Sequence, residues 1–128
     1  MEVLAKGTRR YDRYDRYRLI KYKYTDYKCC CKRKSRTIAF ELSLEEFTGF
    51  FDQNCYYCDR DPYNITVNKG KSYVYEGKGM GIDRKVDSIG YTMSNCVPCC
   101  KECNMMKKSM NDKEYIKHCI TVAAMWEV

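Results

Sequence analysis

The chain has 128 residues, of which 45% are hydrophobic and two are proline, and its 24 lysines and arginines outnumber 17 aspartates and glutamates to give a formal charge of +7. This length fits one domain, and the composition excludes a low-complexity chain. Because no apolar run approaches the roughly 18 residues of a membrane span and no signal peptide opens the chain, we expect neither an integral membrane protein nor a secreted enzyme.

The first 36 residues form a basic segment that we predict to be a helical arm of the same domain. They hold 13 basic and 4 acidic side chains, whereas residues 37–128 hold 11 and 13. Apolar residues recur at helical spacing without proline, which predicts a helix over 8–34. Six of the 13 tyrosines lie among these charges, and interleaved aromatics favour contact with a nucleic-acid backbone. The alternative is a solvated helix in which Tyr11, Tyr14 and Tyr17 cover the core.

The next segment predicts a strand followed by a short helix. Polar and apolar residues alternate from Thr37 to Leu42. Ser43 and Glu46 have the spacing of a capping box, in which each side chain accepts a hydrogen bond from the other residue's backbone N–H. Leu42 and Phe47 fit the accompanying hydrophobic staple, so we predict a helix from about 44 to 53. The apolar face of that helix is Phe47, Phe50 and Phe51.

The remaining elements are predicted from turn residues and periodicity. Residues 63–90 carry many glycines between short apolar pieces, which favours a β-hairpin over a helix. Residues 91–97 predict a further strand. The pattern becomes helical after Cys100, and Asn111 with Glu114 caps a last helix. The apolar face predicted for that helix is Tyr115, Ile116, Cys119, Ile120, Ala123 and Trp126.

Ten cysteines indicate metal binding, because disulfides are disfavoured in the reducing compartments where a chain without export signals folds. Cys55-Tyr-Tyr-Cys58 and Cys100-Lys-Glu-Cys103 are two C-x2-C pairs. Each pair supplies half of a tetrahedral zinc shell, and a closed four-cysteine site is structural. The 41 residues between the pairs exceed the usual spacing of roughly 15–20, so the site must bracket an inserted substructure.

Spacing alone leaves the second half of this zinc site ambiguous, because Cys96 and Cys99 form another C-x2-C pair. We favour Cys100 and Cys103, since Cys96 lies in an alternating strand whereas Cys103 leads into a helix. The three adjacent cysteines at 29–31 point in different directions on a helix, and we interpret them as small buried or half-buried residues. The alternative for the paired cysteines is a reduced core without metal.

The segment from Gly81 to Lys107 carries several motifs in a distinctive order. These are Asp83-Arg84, Gly90-Tyr91-Thr92, Asn95, the Cys100 and Cys103 pair, Asn104 and Lys107. With the first cysteine pair upstream, the segment closely resembles the HNH (ββα-metal) endonucleases, in the zinc-containing subgroup that has Asp-Arg in place of Asp-His. The resemblance runs from about residue 33 to residue 119, and similar small proteins are common in phages and large DNA viruses. It implies an α+β fold with a ββα-metal, treble-clef-like core in a nuclease domain at 37–128, flanked by the basic helix within 1–36 and by a C-terminal helix.

The resemblance also implies a role for each matched residue. Asp83 and Asn104 would bind a catalytic Mg²⁺ or Mn²⁺, beside the structural Zn²⁺ of Cys55, Cys58, Cys100 and Cys103. Asn95 would brace the hairpin and orient the site, and Lys107 would pair with a phosphate. Taken singly, each of these residues has an ordinary structural explanation, and their joint order is what favours the functional one. The residues expected to contact nucleic acid in the upstream basic element are Arg33, Lys34 and Arg36.

Arg84 departs from the usual family pattern, which has a histidine there as the general base. A guanidinium cannot take up a proton at neutral pH, but it can clamp a phosphate and offset the charge of the transition state. The base is then unassigned, and the candidates are water activated by the cation or a tyrosine such as Tyr73 or Tyr75. We expect His118, the single histidine, to be an ordinary residue of the last helix.

The activity that the resemblance implies is hydrolysis of phosphodiester bonds in double-stranded DNA. One active site cuts one strand, so cutting both requires a homodimer or two encounters. Two alternatives stay open: a non-catalytic DNA-binding zinc module on the same scaffold, favoured by the missing histidine, and an RNA-binding zinc protein, favoured by the tyrosine-rich arm. We expect an intracellular protein, in the cytoplasm of a bacterium or of a virus-infected host cell, with no membrane partner.

Overall fold

The computed structural model of the chain describes residues 13–33, 37–68 and 74–126, which form a small α+β fold. Within these ranges, no helix has the run of apolar residues that crossing a bilayer requires. In chain order the elements are α1 (Arg13–Cys30), α2 (Leu44–Phe51), β1 (Tyr63–Asn68), β2 (Val74–Gly79), β3 (Gly81–Arg84), β4 (Cys96–Cys99), α3 (Lys101–Lys107) and α4 (Asp112–Trp126).

The strands pair as two separate antiparallel hairpins. β1 pairs with β2 along its whole length, which confirms the hairpin predicted within residues 63–90. β3 pairs with β4, so that Gly81 lies opposite Cys99 and Arg84 lies opposite Cys96. Cys100 follows β4 directly and is the N-cap of α3, so the second hairpin runs straight into a short helix.

The strand predicted for residues 37–42 is wrong, because only one bridge forms there. Phe40 pairs with Tyr91 in parallel, and the Tyr91 N–H donates to the Ala39 carbonyl at 2.8 Å. Gly90 beside the bridge has no room for a side chain, since a Cβ there would lie 2.5 Å from the Ala39 oxygen. The segment therefore meets the end of the second hairpin without extending a sheet.

The strand predicted for residues 91–97 begins later than expected, after a turn at 93–95. The Asn95 N–H donates both to the Thr92 carbonyl at 3.1 Å and to Thr92 Oγ1 at 3.2 Å. Local hydrogen bonds of this kind compete with strand pairing, which explains why the alternating pattern did not produce a strand here. The following residues form β4.

The predicted capping box and helix are confirmed in α2. The Glu46 N–H donates to Ser43 Oγ at 3.1 Å, and the Ser43 N–H donates to Glu46 Oε1 at 2.9 Å. The helix packs onto β2 where Gly79 leaves space, since a Cβ at that position would lie 2.2 Å from the Phe51 ring. The buried apolar face is the predicted one, Phe47, Phe50 and Phe51.

α1 packs along β2 and α2 as part of the core. Leu19 and Ile20 are buried. The rings of Tyr24 and Tyr27 contact the Phe47 ring edge-on, with centroids 5.4 and 5.3 Å apart. The basic segment is thus anchored to the domain through its second half.

The helix predicted over residues 8–34 is present from Arg13 to Cys30 and ends before a turn at residues 31–32, and the positions 8–12 and 34 lie outside the described residues. Tyr17 is 52% exposed and does not cover the core. Tyr11 and the side chain of Tyr14 also lie outside the described part of the chain. The aromatic cover of the core comes instead from later residues of the same helix, Tyr22, Tyr24 and Tyr27.

α4 confirms the predicted last helix, and most of its apolar face is exposed. The Asn111 N–H donates to Glu114 Oε1 at 3.3 Å, as expected for the cap. Tyr115 is buried, whereas Ile120 and Trp126 are 64% and 74% exposed. The helix is buried only in its first turn, so its amphipathic pattern predicted the helix but does not correspond to a covered face. The other exposed members of that face are Ile116, Cys119 and Ala123.

Candidate metal centre and adjoining cleft

Four cysteine sulfurs gather at one point, two from the turn at 55–58 and two from the N-terminus of α3. The sulfur atoms of Cys55, Cys58, Cys100 and Cys103 all lie within 4.8 Å of one another, and the Cys58 and Cys100 sulfurs are 3.7 Å apart. A tetrahedral zinc site with Zn–S bonds of about 2.3 Å places its sulfurs about 3.8 Å apart. The cluster therefore fits Zn²⁺, as predicted from the two C-x2-C pairs.

Backbone geometry fixes the two halves of the cluster. In the first half, the Cys55 N–H donates to the Arg60 carbonyl and the Asp59 N–H donates to the Cys55 carbonyl, both at 2.9 Å. Asp59 has a φ of 62°, a left-handed conformation that aspartate adopts more readily than most residues. In the second half, Cys100 caps α3 and accepts from the Cys103 N–H at 3.5 Å.

The alternative pair is not part of this cluster. Cys96 lies in the apolar core, where burial raises the pKa of its thiol to about 12. Cys99 is buried beside the cluster, and its thiol donates to the Cys100 carbonyl at 3.4 Å. Of the three adjacent cysteines, Cys31 is buried and Cys29 is exposed, and the described chain places neither among the clustered sulfurs.

The surroundings of the four thiols differ. Burial disfavours ionisation of Cys55, but N–H donors from Cys100, Cys58 and Tyr57 outweigh it and lower the pKa of the Cys55 thiol from 9.0 to about 7. Burial raises the pKa of Cys58 and of Cys103, and their neighbouring thiols add to this effect. Crowded sulfurs become thiolates when a cation balances their charge, which is what this arrangement suits.

A polar cleft of about 360 Å³ lies next to the cluster, between β3, α3 and the second half of α1. Three of the predicted site residues, Asp83, Arg84 and Asn104, line it together. The cleft thus brings together an acid and an amide with a positive charge beside them. The other lining residues are Tyr27, Ile82, Asp87, Tyr91, Lys108 and Ser109.

Asp83 is held through one of its two carboxylate oxygens. Tyr57 Oη donates to Asp83 Oδ2 at 2.9 Å, and Lys107 Nζ lies 3.2 Å from the same oxygen. Among the described residues, no hydrogen bond reaches Oδ1, which is the oxygen left for a ligand in the cleft. Burial raises the pKa of the Asp83 carboxyl, although Tyr57 and Lys107 both act to lower it.

Lys107 has a different environment from the one predicted. The sequence predicted a phosphate contact, but the side chain is only 1% exposed, and its Nζ donates to the Arg84 carbonyl at 3.1 Å as well as facing Asp83. The cause is helix geometry: Cys103 points to the cluster, and a residue four positions later lies on the same face. Lys107 therefore ties α3 to β3.

Asn104 of α3 and Lys108, the C-cap residue that follows the helix, are exposed and border the cleft. Both line the cleft, whereas Lys107 between them is buried. Lys108 ends the helix with a φ of 51°, and its N–H donates to the Asn104 carbonyl at 3.1 Å. Lys108 thus adds a cation at the cleft that the resemblance to the family motif did not include.

Arg84 is engaged with the loop between β3 and β4. Its guanidinium donates to the Asp87 carbonyl at 2.6 Å and to the Ile89 carbonyl at 3.3 Å, and it pairs with the Asp87 carboxylate at 3.1 Å. Its Cζ also lies 5.2 Å from the centroid of the Tyr91 ring. The predicted phosphate clamp is thus a buried side chain that shapes the cleft wall, because the loop carbonyls use its donors.

Asn95 holds the same loop from its other end. Its side-chain amide donates to the carbonyls of Val86, Ile89 and Gly90 at 3.0–3.2 Å and accepts from the Val86 N–H at 3.0 Å. Its own carbonyl accepts from the Lys85 N–H at 2.7 Å. These contacts are those of a bracing residue, and they do not place Asn95 in the cleft.

The residues predicted to bind nucleic acid are described only in part. Arg33 is exposed and lines a second cleft with Lys23, Tyr27 and Tyr91. Lys34 and Arg36 lie outside the described residues. A third cleft contains Lys23, Tyr27, Lys101 and Asn104, so Tyr27 lies where all three clefts meet.

Of the candidate proton acceptors that the structure describes, neither Tyr75 nor His118 lines the cleft. His118 is exposed on α4. Tyr75 packs against Tyr22 with ring centroids 6.3 Å apart, and Tyr73 lies outside the described residues. Tyr57 was missed in the sequence, where its position inside the first cysteine pair was the available signal.

Comparison with known proteins gives a viral relative of unassigned activity. An uncharacterized protein of Acanthamoeba polyphaga mimivirus is 34% identical over 128 residues, which cover 95% of this chain and 21% of that protein. The chain therefore spans about a fifth of that relative's length. No family model and no solved structure matches the chain. The relative is a viral protein.

Proposed function

We propose that the protein is an HNH-type endonuclease that hydrolyses DNA phosphodiester bonds with a divalent cation, on a ββα-metal core stabilised by zinc. The observation that carries this proposal is the accessible cleft in which Asp83 presents one unbonded carboxylate oxygen beside Asn104 and Lys108. The cleft adjoins a closed four-sulfur cluster, which is suited to structure and leaves no position for a substrate. The order of motifs from the first cysteine pair to Asn104 supports the same assignment.

The cleft residues suit a hard cation. Asp83 Oδ1 and the amide oxygen of Asn104 are the oxygen donors that Mg²⁺ and Mn²⁺ take in proteins. When bound, such a cation polarises a scissile phosphate and lowers the pKa of water beside it. Lys107 offsets the charge of Asp83 from behind, so we expect a site that is weak in the absence of a phosphate.

The surrounding cations would bind the substrate's backbone. Lys108 lies at the cleft itself, whereas Lys23, Lys101 and Arg33 flank it along the adjoining clefts that meet at Tyr27. Side chains spaced in this way contact successive phosphates without reading bases, which gives an affinity that falls steeply with salt. Arg84 contributes by holding the loop that forms the cleft wall.

A non-catalytic DNA-binding module is the second candidate, and the Lys107–Asp83 pair favours it. A buried ammonium 3.2 Å from the carboxylate competes with any cation for that charge. Arg84 is bonded to the loop, and the described cleft contains no histidine. In this candidate the same basic surface binds DNA and no bond is cut.

Nicking of supercoiled plasmid by the zinc-loaded protein separates the two candidates. For a nuclease we expect nicking that requires Mg²⁺ or Mn²⁺, that D83A abolishes and that N104A reduces by about 10- to 100-fold. D61A, which removes an exposed carboxylate of the loop after the first cysteine pair, is the matched control and should nick normally. If the wild type never nicks and D83A binds duplex DNA as the wild type does, the binding module is correct. Tighter binding of single-stranded RNA than of duplex DNA would instead favour the RNA-binding alternative.

A further inference from the structure

Tyr57 connects the four-cysteine cluster to the cleft. It lies between the two cysteines of the first pair, and its hydroxyl reaches Asp83 Oδ2 at 2.9 Å. Its ring packs edge-on against Tyr115 of α4 and against Tyr56, with centroids 5.2 and 5.1 Å apart. The backbone of Tyr57 thus belongs to the cluster while its hydroxyl belongs to the cleft.

The contact is directional. A phenol donates one hydrogen bond, and a carboxylate can only accept, so Tyr57 donates and Asp83 accepts. Lys107 contacts the same oxygen from α3, which leaves Oδ2 with two donors and Oδ1 with none among the described residues. Two donors from different elements fix the rotation of the carboxylate about its bond to Cβ.

We propose that Tyr57 is a positioning residue that orients Asp83 so that Oδ1 faces the cleft. Cation binding at Asp83 then depends on the folded turn that contains Cys55 and Cys58. This inference rests on the proposed function, because it concerns the same carboxylate. Hydrogen-bond partners of a metal-binding side chain typically change metal affinity by 10- to 100-fold when they are removed. Tyr57 is such a partner for Asp83, and it reaches Asp83 from the zinc-binding turn.

The test compares Y57F with Y56F in the full zinc-loaded chain. Y57F keeps the ring and removes only the hydroxyl, and Tyr56, which is 51% exposed, is the adjacent control. Mn²⁺ binding is followed by the electron paramagnetic resonance signal of free Mn²⁺, and zinc content is measured in parallel. We expect Y57F to weaken Mn²⁺ binding about tenfold with zinc content unchanged, and Y56F to bind like the wild type. Equal Mn²⁺ affinity in Y57F and the wild type would overturn the inference.

D83A and the nicking assay distinguish this inference from the proposed function. If D83A abolishes Mn²⁺ binding while Y57F has no effect, the inference fails and the proposed cation site stands. If both variants weaken Mn²⁺ binding but the wild type does not nick DNA, the inference stands and the nuclease proposal fails. Where nicking occurs, Y57F should raise the Mn²⁺ concentration for half-maximal rate and recover most of the rate at saturating Mn²⁺, since positioning affects affinity first.

Discussion

The four-cysteine cluster and the cleft beside it use the same hairpin and helix, yet their side chains are satisfied in different ways. The cluster is closed: its sulfurs contact one another, and three of its four cysteines are buried. The cleft is open on one side, and its buried acid is Asp83, whose Oδ1 accepts no hydrogen bond from the part of the chain that the structure describes. Cys103 of α3 belongs to the cluster and the next residue, Asn104, borders the cleft, so one short helix contributes to both.

The largest expected effect is on the cluster. C100S removes one sulfur and should abolish stoichiometric zinc binding, with loss of the cooperative thermal transition. Structural zinc sites in small domains contribute on the order of 10 kcal/mol or more to folding, which is comparable to the roughly 5–15 kcal/mol of a whole domain's stability. Zinc content and circular-dichroism melting check this. C29S, at an exposed helix position outside the cluster, should retain both zinc and melting behaviour, and full zinc content in C100S would contradict the assignment of the ligands.

The next effect concerns the two adjacent lysines at the end of α3, one buried and one exposed. K107M leaves Asp83 buried without its ammonium and should cost about 3–5 kcal/mol in the free energy of unfolding, measured in urea. K108M removes an exposed cation at the cleft and should change stability by less than about 0.5 kcal/mol. Although K108M should leave stability almost unchanged, we expect it to weaken binding to duplex DNA several-fold. Equal free energies of unfolding of the two variants would contradict a structural role for the buried ammonium of Lys107.

A smaller effect is expected at the loop that forms the cleft wall. N95A removes the side-chain amide that bonds Val86, Ile89 and Gly90 and should cost roughly 2–4 kcal/mol, since each lost hydrogen bond is worth about 0.5–1.5 kcal/mol. Urea unfolding provides the value. S94A, next to it on the exposed side of the turn, should change stability by less than about 0.5 kcal/mol. A loss below about 1 kcal/mol in N95A would mean that the loop is held elsewhere.

Local patterns predicted much of the fold. The Ser43 and Glu46 capping box, the phenylalanine face of α2, the first hairpin and the final helix follow from short-range sequence rules, and the structure contains all of them. The strand expected at 37–42 did not form and the one expected at 91–97 begins only at Cys96, because alternation does not record the local hydrogen bonds of Thr92 and Asn95 or the single bridge to Phe40. Alternation is necessary for a half-buried strand and insufficient to prove one.

In the candidate site, too, features set by neighbouring residues could be predicted from the sequence, whereas contacts between distant residues could not. The cysteine ligands could be chosen because their spacing is local, and the structure selects Cys100 and Cys103 over Cys96 and Cys99. The partners of Asp83 come from the turn at 55–58 and from α3, which are distant from it in sequence. The contact with Tyr57 could therefore not be predicted from residue spacing. The burial of Lys107 could have been deduced by counting four residues on from Cys103. The exposure of the apolar face of α4 could not have been deduced, since helical periodicity does not show whether another element packs against a helix.

Anomalous diffraction from crystals of the zinc-loaded protein soaked in Mn²⁺ tests the central claim most directly. We expect a zinc peak about 2.3 Å from the sulfurs of Cys55, Cys58, Cys100 and Cys103, and a separate manganese peak roughly 2.0–2.6 Å from Asp83 Oδ1 and from the Asn104 amide oxygen. A cleft without manganese, together with a zinc peak at the four sulfurs, would contradict the cation site while leaving the structural centre in place.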